Sequence, residues 1–214
     1  MIVMKVLIVG ATGTVGQPLV EQALEKGHQV SAFCRHSAKL SSLKHPHLRI
    51  VPGDVFNPAD VRKAVQGQDA VCIVLGSGTS RKSVVRSEGT KNVIAAMQEQ
   101  GVTRLICQTT LGAGDSQGNL NFFWKRIMFG WYLKQVFQDH ELQEAYVRRS
   151  ALRWTIVRPG AFTNGARTGT YRHGFASDDR STQLKISRRD VADFMVRELE
   201  SEQYLHQTPG LSYG

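Results

Sequence analysis

An apolar run from Val3 to Val9 stops at a glycine, and two more glycines follow at three-residue spacing: Gly10-Ala11-Thr12-Gly13-Thr14-Val15-Gly16. Apolar residues at helical spacing then begin, at Val15, Leu19, Val20, Ala23 and Leu24. A strand that enters a helix through such a turn forms a cradle for phosphate. Gly10 allows the tight turn, Gly13 lets a pyrophosphate approach the backbone, and Gly16 lets the helix pack closely on the strand. Thr12, Thr14 and Val15 complete the lining. Free N–H groups at the helix start, with the helix dipole behind them, attract the negative phosphates. The bland alternative is a tight turn with no ligand. The preceding buried-type strand and the following helix are the context that the phosphate reading needs.

The rest of the chain alternates in the same way. Strands are expected at Lys5–Val9, Gln29–Cys34, Leu48–Val51, Ala70–Leu75, Thr103–Gln108 and Trp154–Arg158. Helices are expected at Val15–Lys26, Ala59–Val65 (capped by Asn57), Val84–Gln100, about Leu133–Ser150, and from Ser187 to about Glu200. Gly27 and Gly101 close two of them. Continuous apolar strands separated by single helices imply an α/β fold: a doubly wound parallel sheet, Rossmann-like, covered on both faces. Cofactor binding at the carboxyl ends of the strands follows. The 214 residues suit a single domain over 1–214. A small substrate-side lobe is expected from about 110–140 and 160–186. No internal repeat, linker or low-complexity segment is seen.

Composition excludes several classes. Hydrophobic and charged contents of 41% and 21% are those of an ordinary globular protein. No uncharged apolar stretch of about 18 residues exists, so no membrane span is expected. The first apolar run lacks a basic leader and flows into the glycine turn, so it is not read as a signal peptide. Cys34, Cys72 and Cys107 form no Cys-x-x-Cys, which points to reduced, buried thiols in a cytoplasmic protein. No metal site is expected. The net charge of +9 is spread along the chain, and no basic helix with interleaved aromatics appears. Attraction of an anionic cofactor and substrate explains that charge better than nucleic acid does.

Two regions break the rhythm. Asn121–Phe137 is dense in aromatics. It reads as a helix packed on the core or on a partner subunit of a homodimer, as an apolar lid or wall over a flat substrate, or as a membrane-surface helix. Thr163–Gln183, rich in Gly, Ser, Thr and Arg, reads as irregular loop with at most a short hairpin, forming part of the pocket wall. Ser187-Arg188-Arg189-Asp190 reads as a capping box, and Val191, Phe194, Met195 and Leu199 give its helix an apolar stripe. Leu205–Gly214 carries no signal.

The end of strand two bears on the choice of nucleotide. NAD-binding forms of this arrangement place a carboxylate there for the ribose hydroxyls. Here the run is Phe33-Cys34-Arg35-His36-Ser37. Arg35 can pair a 2′-phosphate and stack on adenine, with Ser37 and Lys39 adding donors. NADP(H) is therefore expected over NAD(H); the alternative for Arg35 is a solvated strand end. Gly53-Asp54-Val55 is placed to touch the adenine edge, although Asp54 also reads as a turn or cap residue. Leu75-Gly76-Ser77, after strand four, brings backbone close to the cofactor.

The glycine turn, Gly53-Asp54-Val55, Glu88-Gly89-Thr90-Lys91-Asn92-Val93, Ile156-Val157-Arg158-Pro159-Gly160 and Ile186-Ser187-Arg188-Arg189-Asp190-Val191-Ala192 together resemble the atypical short-chain dehydrogenases/reductases. Within them the chain is similar to the flavin reductase/biliverdin-IXβ reductase group and to NmrA-like proteins. The resemblance implies an NAD(P)-binding Rossmann fold and a reductase. Standard members use Tyr-x-x-x-Lys, and no tyrosine of this chain has a lysine four residues on. Counting back from Arg158-Pro159 puts Val136 and His140 in those two slots, with Thr109-Thr110 at the Ser/Thr position. The chain matches the flavin reductase group at Asp139-His140, but has Ala161 near the place of that group's histidine.

Hydride transfer to a flat acceptor such as a flavin or quinone needs orientation more than acid catalysis. His140 is the candidate proton donor; otherwise it is a helix residue that hydrogen-bonds or caps. Thr110 would hold the nicotinamide amide or the substrate, or is a strand-end hydroxyl. Asn164 would face the substrate, and Pro159 sets the exit of strand six. The sequence thus points to an NADP(H)-dependent reductase of an aromatic or quinoid small molecule. A non-catalytic NADP(H)-sensing regulator comes second, and a sugar-nucleotide epimerase or dehydratase last.

Overall fold

The computed structural model describes residues 2–78, 80, 83–119 and 134–214, apart from the side chain of Gln117. Ten strands and five α-helices are described: β1 (Lys5–Val9), α1 (Gly16–Glu25), β2 (Gln29–Cys34), β3 (Leu48–Pro52), α2 (Pro58–Val65), β4 (Ala70–Ile73), α3 (Val85–Gln100), β5 (Arg104–Gln108), α4 (Lys134–Arg149), β6 (Arg153–Pro159), β7 (Ala161–Thr163), β8 (Arg172–His173), β9 (Lys185–Ser187), α5 (Arg188–Glu200) and β10 (Gly210–Ser212). The main sheet runs β3-β2-β1-β4-β5-β6-β10-β8, and all neighbours are parallel except β10 and β8. This is the doubly wound arrangement, with its reversal of strand order between β1 and β4.

The period-two alternation of β1 divides the core. Val6 and Ile8 pack with Leu19, Val20 and Ala23 of α1 and Val191, Met195 and Leu199 of α5. Leu7 and Val9 pack on the other face with Val61 of α2, Val93 and Met97 of α3, and Val147 of α4. Cys34, Cys72 and Cys107 are free and buried, and burial pushes the Cys72 thiol up to about 12. Asn57 caps α2 by accepting from the Ala59 N–H at 3.0 Å. Gly101 closes α3 at φ +70°, a left-handed position.

Most of the expected segments match to within a residue or two. β4 ends at Ile73 rather than Leu75; the Val74 N–H still donates to the Val9 carbonyl at 2.9 Å, and the Val74 carbonyl and Leu75 amide lie against Gly10. The second half of the chain departs further. Within the segment expected to be irregular, Thr163–Gln183, only Thr163 at the end of β7 and the two residues of β8 lie in paired strands: β7 lies parallel to β9, which follows the segment, and β8 joins β10. The segment without signal, Leu205–Gly214, contains β10, which lies parallel to β6 and buries Leu211 completely. Three residues are too few to show a periodicity. The partner strand supplies their conformation.

The expected capping box is half formed. Ser187 Oγ accepts from the Asp190 N–H at 3.0 Å, but the Ser187 N–H donates to Tyr213 Oη at 3.1 Å. Asp190 turns instead to the preceding loop. It accepts from the N–H groups of Thr168 and Gly169 and from the Tyr213 hydroxyl. One buried carboxylate thus ties the loop, the C-terminal strand and α5 together. Of the aromatic stretch Asn121–Phe137, residues 121–133 lie outside the described residues; Phe137 is buried on α4.

A buried ion cluster holds β6 to α4. Arg158 is 1% exposed and pairs bidentately with Glu144, at 2.9 Å and 2.7 Å. Its remaining terminal nitrogen reaches Asp115 at 2.6 Å. Glu144 also accepts from the Thr109 hydroxyl at 2.8 Å. Glu144→Ala strands the Arg158 charge and should cost about 3–5 kcal/mol of stability in urea unfolding. The double change Glu144→Ala with Arg158→Met should cost clearly less than Glu144→Ala alone.

Candidate cofactor-binding cleft

A cleft of about 530 Å³ opens at the carboxyl ends of the central strands. Its floor is the glycine turn. Gly10 has φ +92°, and its carbonyl accepts from the Gly13 N–H at 2.9 Å. A methyl group on Gly16 would lie 2.2 Å from that same carbonyl oxygen, so only glycine lets α1 start this close. Gly10, Thr12, Gly13, Thr14 and Val15 line the cleft, and Gly16 packs beneath them. No side chain caps α1, and its first turn holds no acidic residue. The positive end of its dipole is thereby left for an anion, as a dinucleotide pyrophosphate requires.

At one end, Arg35, His36 and Lys39 line the cleft, and Arg35 and Lys39 are exposed. Gly53 and Val55 form the adjoining wall. Asp54 is not in the lining. Its carboxylate accepts from the Phe56 N–H at 3.0 Å, and its own N–H donates to Asp60. That is the turn role of its two readings. Among the described residues no carboxylate lines the cleft. Leu75 and Gly76 form the opposite wall, whereas Ser77 lies behind them and accepts a hydrogen bond from Arg86.

The other end is built by Gln108, Thr109, Thr110, His140, Pro159 and Phe162. Thr109 is 1% exposed and its hydroxyl donates inward to Glu144 at 2.8 Å. The Thr110 hydroxyl makes one long contact among the described residues, 3.4 Å to the Leu111 carbonyl. Pro159 ends β6, and its carbonyl accepts from the Leu111 N–H at 2.8 Å. His140 is buried on α4, with Nδ1 3.3 Å from Gln143 Oε1. Gln143 spends its amide hydrogens on Thr90 and Cys107, so its oxygen faces the ring and Nδ1 carries the hydrogen. Burial, assisted by the nearby Arg86 charge, brings the His140 pKa down to about 3. The imidazole is therefore neutral at pH 7 and holds no readily given proton. Asn164 does not line the cleft; its side-chain oxygen accepts from Arg188 at 2.6 Å.

Among the lining residues that sequence reasoning missed, three carry polar or aromatic chemistry. Phe162 stands in the lining 37% exposed, with the Arg188 guanidinium 5.2 Å from its ring centroid. Gln108 is buried at the end of β5. Arg86, in the first turn of α3, reads in sequence as one more helix charge. Only the packing of α3 against α4 brings it into the wall. Among the described residues no helix is long and apolar enough to cross a membrane. Among them also, no three acidic, histidine or cysteine side chains converge as a metal site would require.

Known proteins show the same pattern. A family model described as NAD(P)H-binding matches residues 10–202. An uncharacterised chloroplastic protein of Arabidopsis thaliana is 32% identical over 93% of this chain and 73% of its own length. The photosystem II assembly factor Ycf39 of Synechocystis is 26% identical over 96% of the chain, which spans 61% of that protein. Among solved structures, the anaerobillin reductase ChuY of Escherichia coli O157:H7 superimposes with a TM-score of 0.80 at 25% identity, covering 97% of this chain and 96% of that one. A Veillonella parvula short-chain dehydrogenase/reductase in complex with NADP shares the fold, with a TM-score of 0.82 at 17% identity over 99% and 95% of the two chains. The matched stretch begins at the glycine turn and runs through α5, and on that ground the chain belongs to the NAD(P)H-binding family, with a Rossmann-like fold.

Proposed function

We propose that the protein is an NADPH-dependent reductase of a flat acceptor such as a flavin or a quinone. The observation that carries this reading is the cleft itself. It offers donors and cations to a phosphorylated dinucleotide, yet among the described residues its reactive end is lined by neither a carboxylate nor a lysine to act as a firm base. Oxidation of an alcohol or epimerisation of a sugar needs such a base. Reduction of a flavin or quinone needs a hydride donor, a fixed orientation and exclusion of water.

When bound, the nicotinamide supplies the hydride. The chain's own residues do the positioning. The glycine turn and the start of α1 hold the pyrophosphate, while Arg35 and Lys39 take the 2′-phosphate. Thr109, with its proton committed to Glu144, accepts a hydrogen bond from an N–H or O–H group of the cofactor. Thr110 orients the acceptor. Phe162, backed by Arg188, offers a ring on which a flat molecule can stack. His140 serves as a neutral polar wall rather than as an acid, and protons come from solvent. A non-catalytic, cofactor-sensing role is the second reading, favoured by the same lack of a ready proton donor.

NADPH oxidation by the purified protein should accelerate with FMN or with simple quinones. Tight NADPH binding without turnover across that panel would move the assignment to the sensing role. Arg35→Ala should weaken NADPH by about tenfold or more, the scale of a lost charged hydrogen bond, and NADH far less. Equal losses in titrations with the two nucleotides would remove Arg35 from the 2′-phosphate site. With His140 neutral, kcat/KM for the acceptor should show no His140 limb from about pH 5 to about pH 8. A limb in that window that disappears in His140→Gln would give the histidine the acid role instead.

A further inference from the structure

Two arginines near the carboxyl ends of the strands, Arg158 fully buried and Arg86 half-buried, differ sharply in their partners. Arg158 is saturated, with a bidentate carboxylate and a second carboxylate beyond it. Arg86 is not paired in that way. Its guanidinium side chain is 11% exposed and lines the cleft. Among the described residues its contacts to side chains run through one nitrogen, Nη1, at 3.3 Å to Ser77 Oγ and 3.4 Å to Asp139 Oδ2. A well-formed guanidinium–carboxylate pair is bidentate at about 2.7–2.9 Å.

The weak pairing has a clear cause. Asp139 is already engaged at the start of α3. It accepts from the Ser87 hydroxyl at 2.5 Å, the Ser87 N–H at 2.9 Å and the Arg86 N–H at 3.2 Å. Locally, Ser83 Oγ accepts only from the Val85 N–H, at 3.2 Å, and Val84 offers no cap, so that carboxylate serves the next two amides of the helix. The guanidinium gets the longest of its bonds. Desolvation correspondingly outweighs the attraction of Asp139 and pushes the Arg86 pKa down, whereas its partners push that of Arg158 up. Five N–H donors sit on Arg86, which lines a cleft that no carboxylate among the described residues lines with it.

The pyrophosphate does not need this group, because the glycine turn and the uncapped α1 already provide for it. Arg86 lies instead beside His140, close enough for its charge to disfavour protonation of the imidazole. We infer that Arg86 is the anion-reading residue of the acceptor site, so that the molecule reduced here carries a carboxylate or another acidic oxygen group. The inference rests on the flat-acceptor reading and narrows it. The guanidinium fixes the acidic group by paired N–H···O bonds and leaves the flat ring system to Phe162 and the nicotinamide face.

A matched pair of unreactive probes tests this without turnover. 2-Naphthoate and 2-naphthamide have the same shape and differ in charge. Calorimetry on the NADP⁺-saturated protein should find naphthoate tighter by about tenfold or more, as a charge-assisted bidentate bond implies. The preference should vanish in Arg86→Gln and survive in part in Arg86→Lys, while NADPH affinity changes by less than the lost preference. Equal binding of the two probes by the unaltered protein, or binding of neither, overturns the proposal. So does a preference that persists in Arg86→Gln, or a loss of NADPH affinity as large as the loss of preference, which would give the anion site to the cofactor. The comparison in unaltered protein needs no variant to fold. Naphthoate preference without any flavin or quinone turnover would leave the anion site standing and remove the reductase reading.

Discussion

Helix α1 begins in van der Waals contact with the carbonyl that ends β1, and the rest of the molecule is arranged around that approach. A single added methyl at Gly16 would fall 2.2 Å from the Gly10 oxygen. With glycine there, the first amides of α1 stand over the end of the sheet and meet no side-chain cap. A parallel sheet presents all its carboxyl ends on one side, so the other loops gather at the same place. The positive potential of the helix end, and its open donors, are the physical reason that an anionic dinucleotide belongs there.

Charge is distributed along the cleft by subtraction as much as by addition. Arg35, Lys39 and Arg86 line it, and the nearby carboxylates are occupied elsewhere. Asp54 is bonded to its own turn, Asp139 to the start of α3, and Glu144 to Arg158 and Thr109. Each acid stabilises the scaffold and is thereby kept from the ligand. The net charge of +9 becomes, at this site, a cleft that among the described residues is lined by cations and no anion.

The buried polar groups on α4 link scaffold and site. Asp139, His140, Gln143 and Glu144 are adjacent in sequence and all buried. Asp139 fixes α3 and with it Arg86. Gln143 sets the His140 tautomer through Thr90 and Cys107. Glu144 sets the direction of the Thr109 hydroxyl. A histidine whose pKa falls to about 3 in this setting is part of a neutral wall. Its place in the sequence, at the slot of a missing lysine, carried no information about burial.

The cofactor half was legible because its signals are local. A glycine turn between an apolar strand and an amphipathic helix names its own geometry, and the six long strands announce themselves by continuous apolar runs. The guanidinium at the end of β2 and the lack of a carboxylate there were also plain. What sequence could not supply depends on distant partners. β10 has three residues, and β6 decides its shape. Asp54 and Asn164 could as well have faced the ligand until their bonds to Phe56 and Arg188 were seen. The contrast between Arg86 and Arg158, two arginines alike in the sequence, exists only because Glu144 reaches one with both oxygens while Asp139 is spent on a helix end. Periodicity and turn chemistry are properties of neighbouring residues and survive in the linear chain. The pairing of a buried charge is a property of what folds against it, and only the tertiary structure decides that.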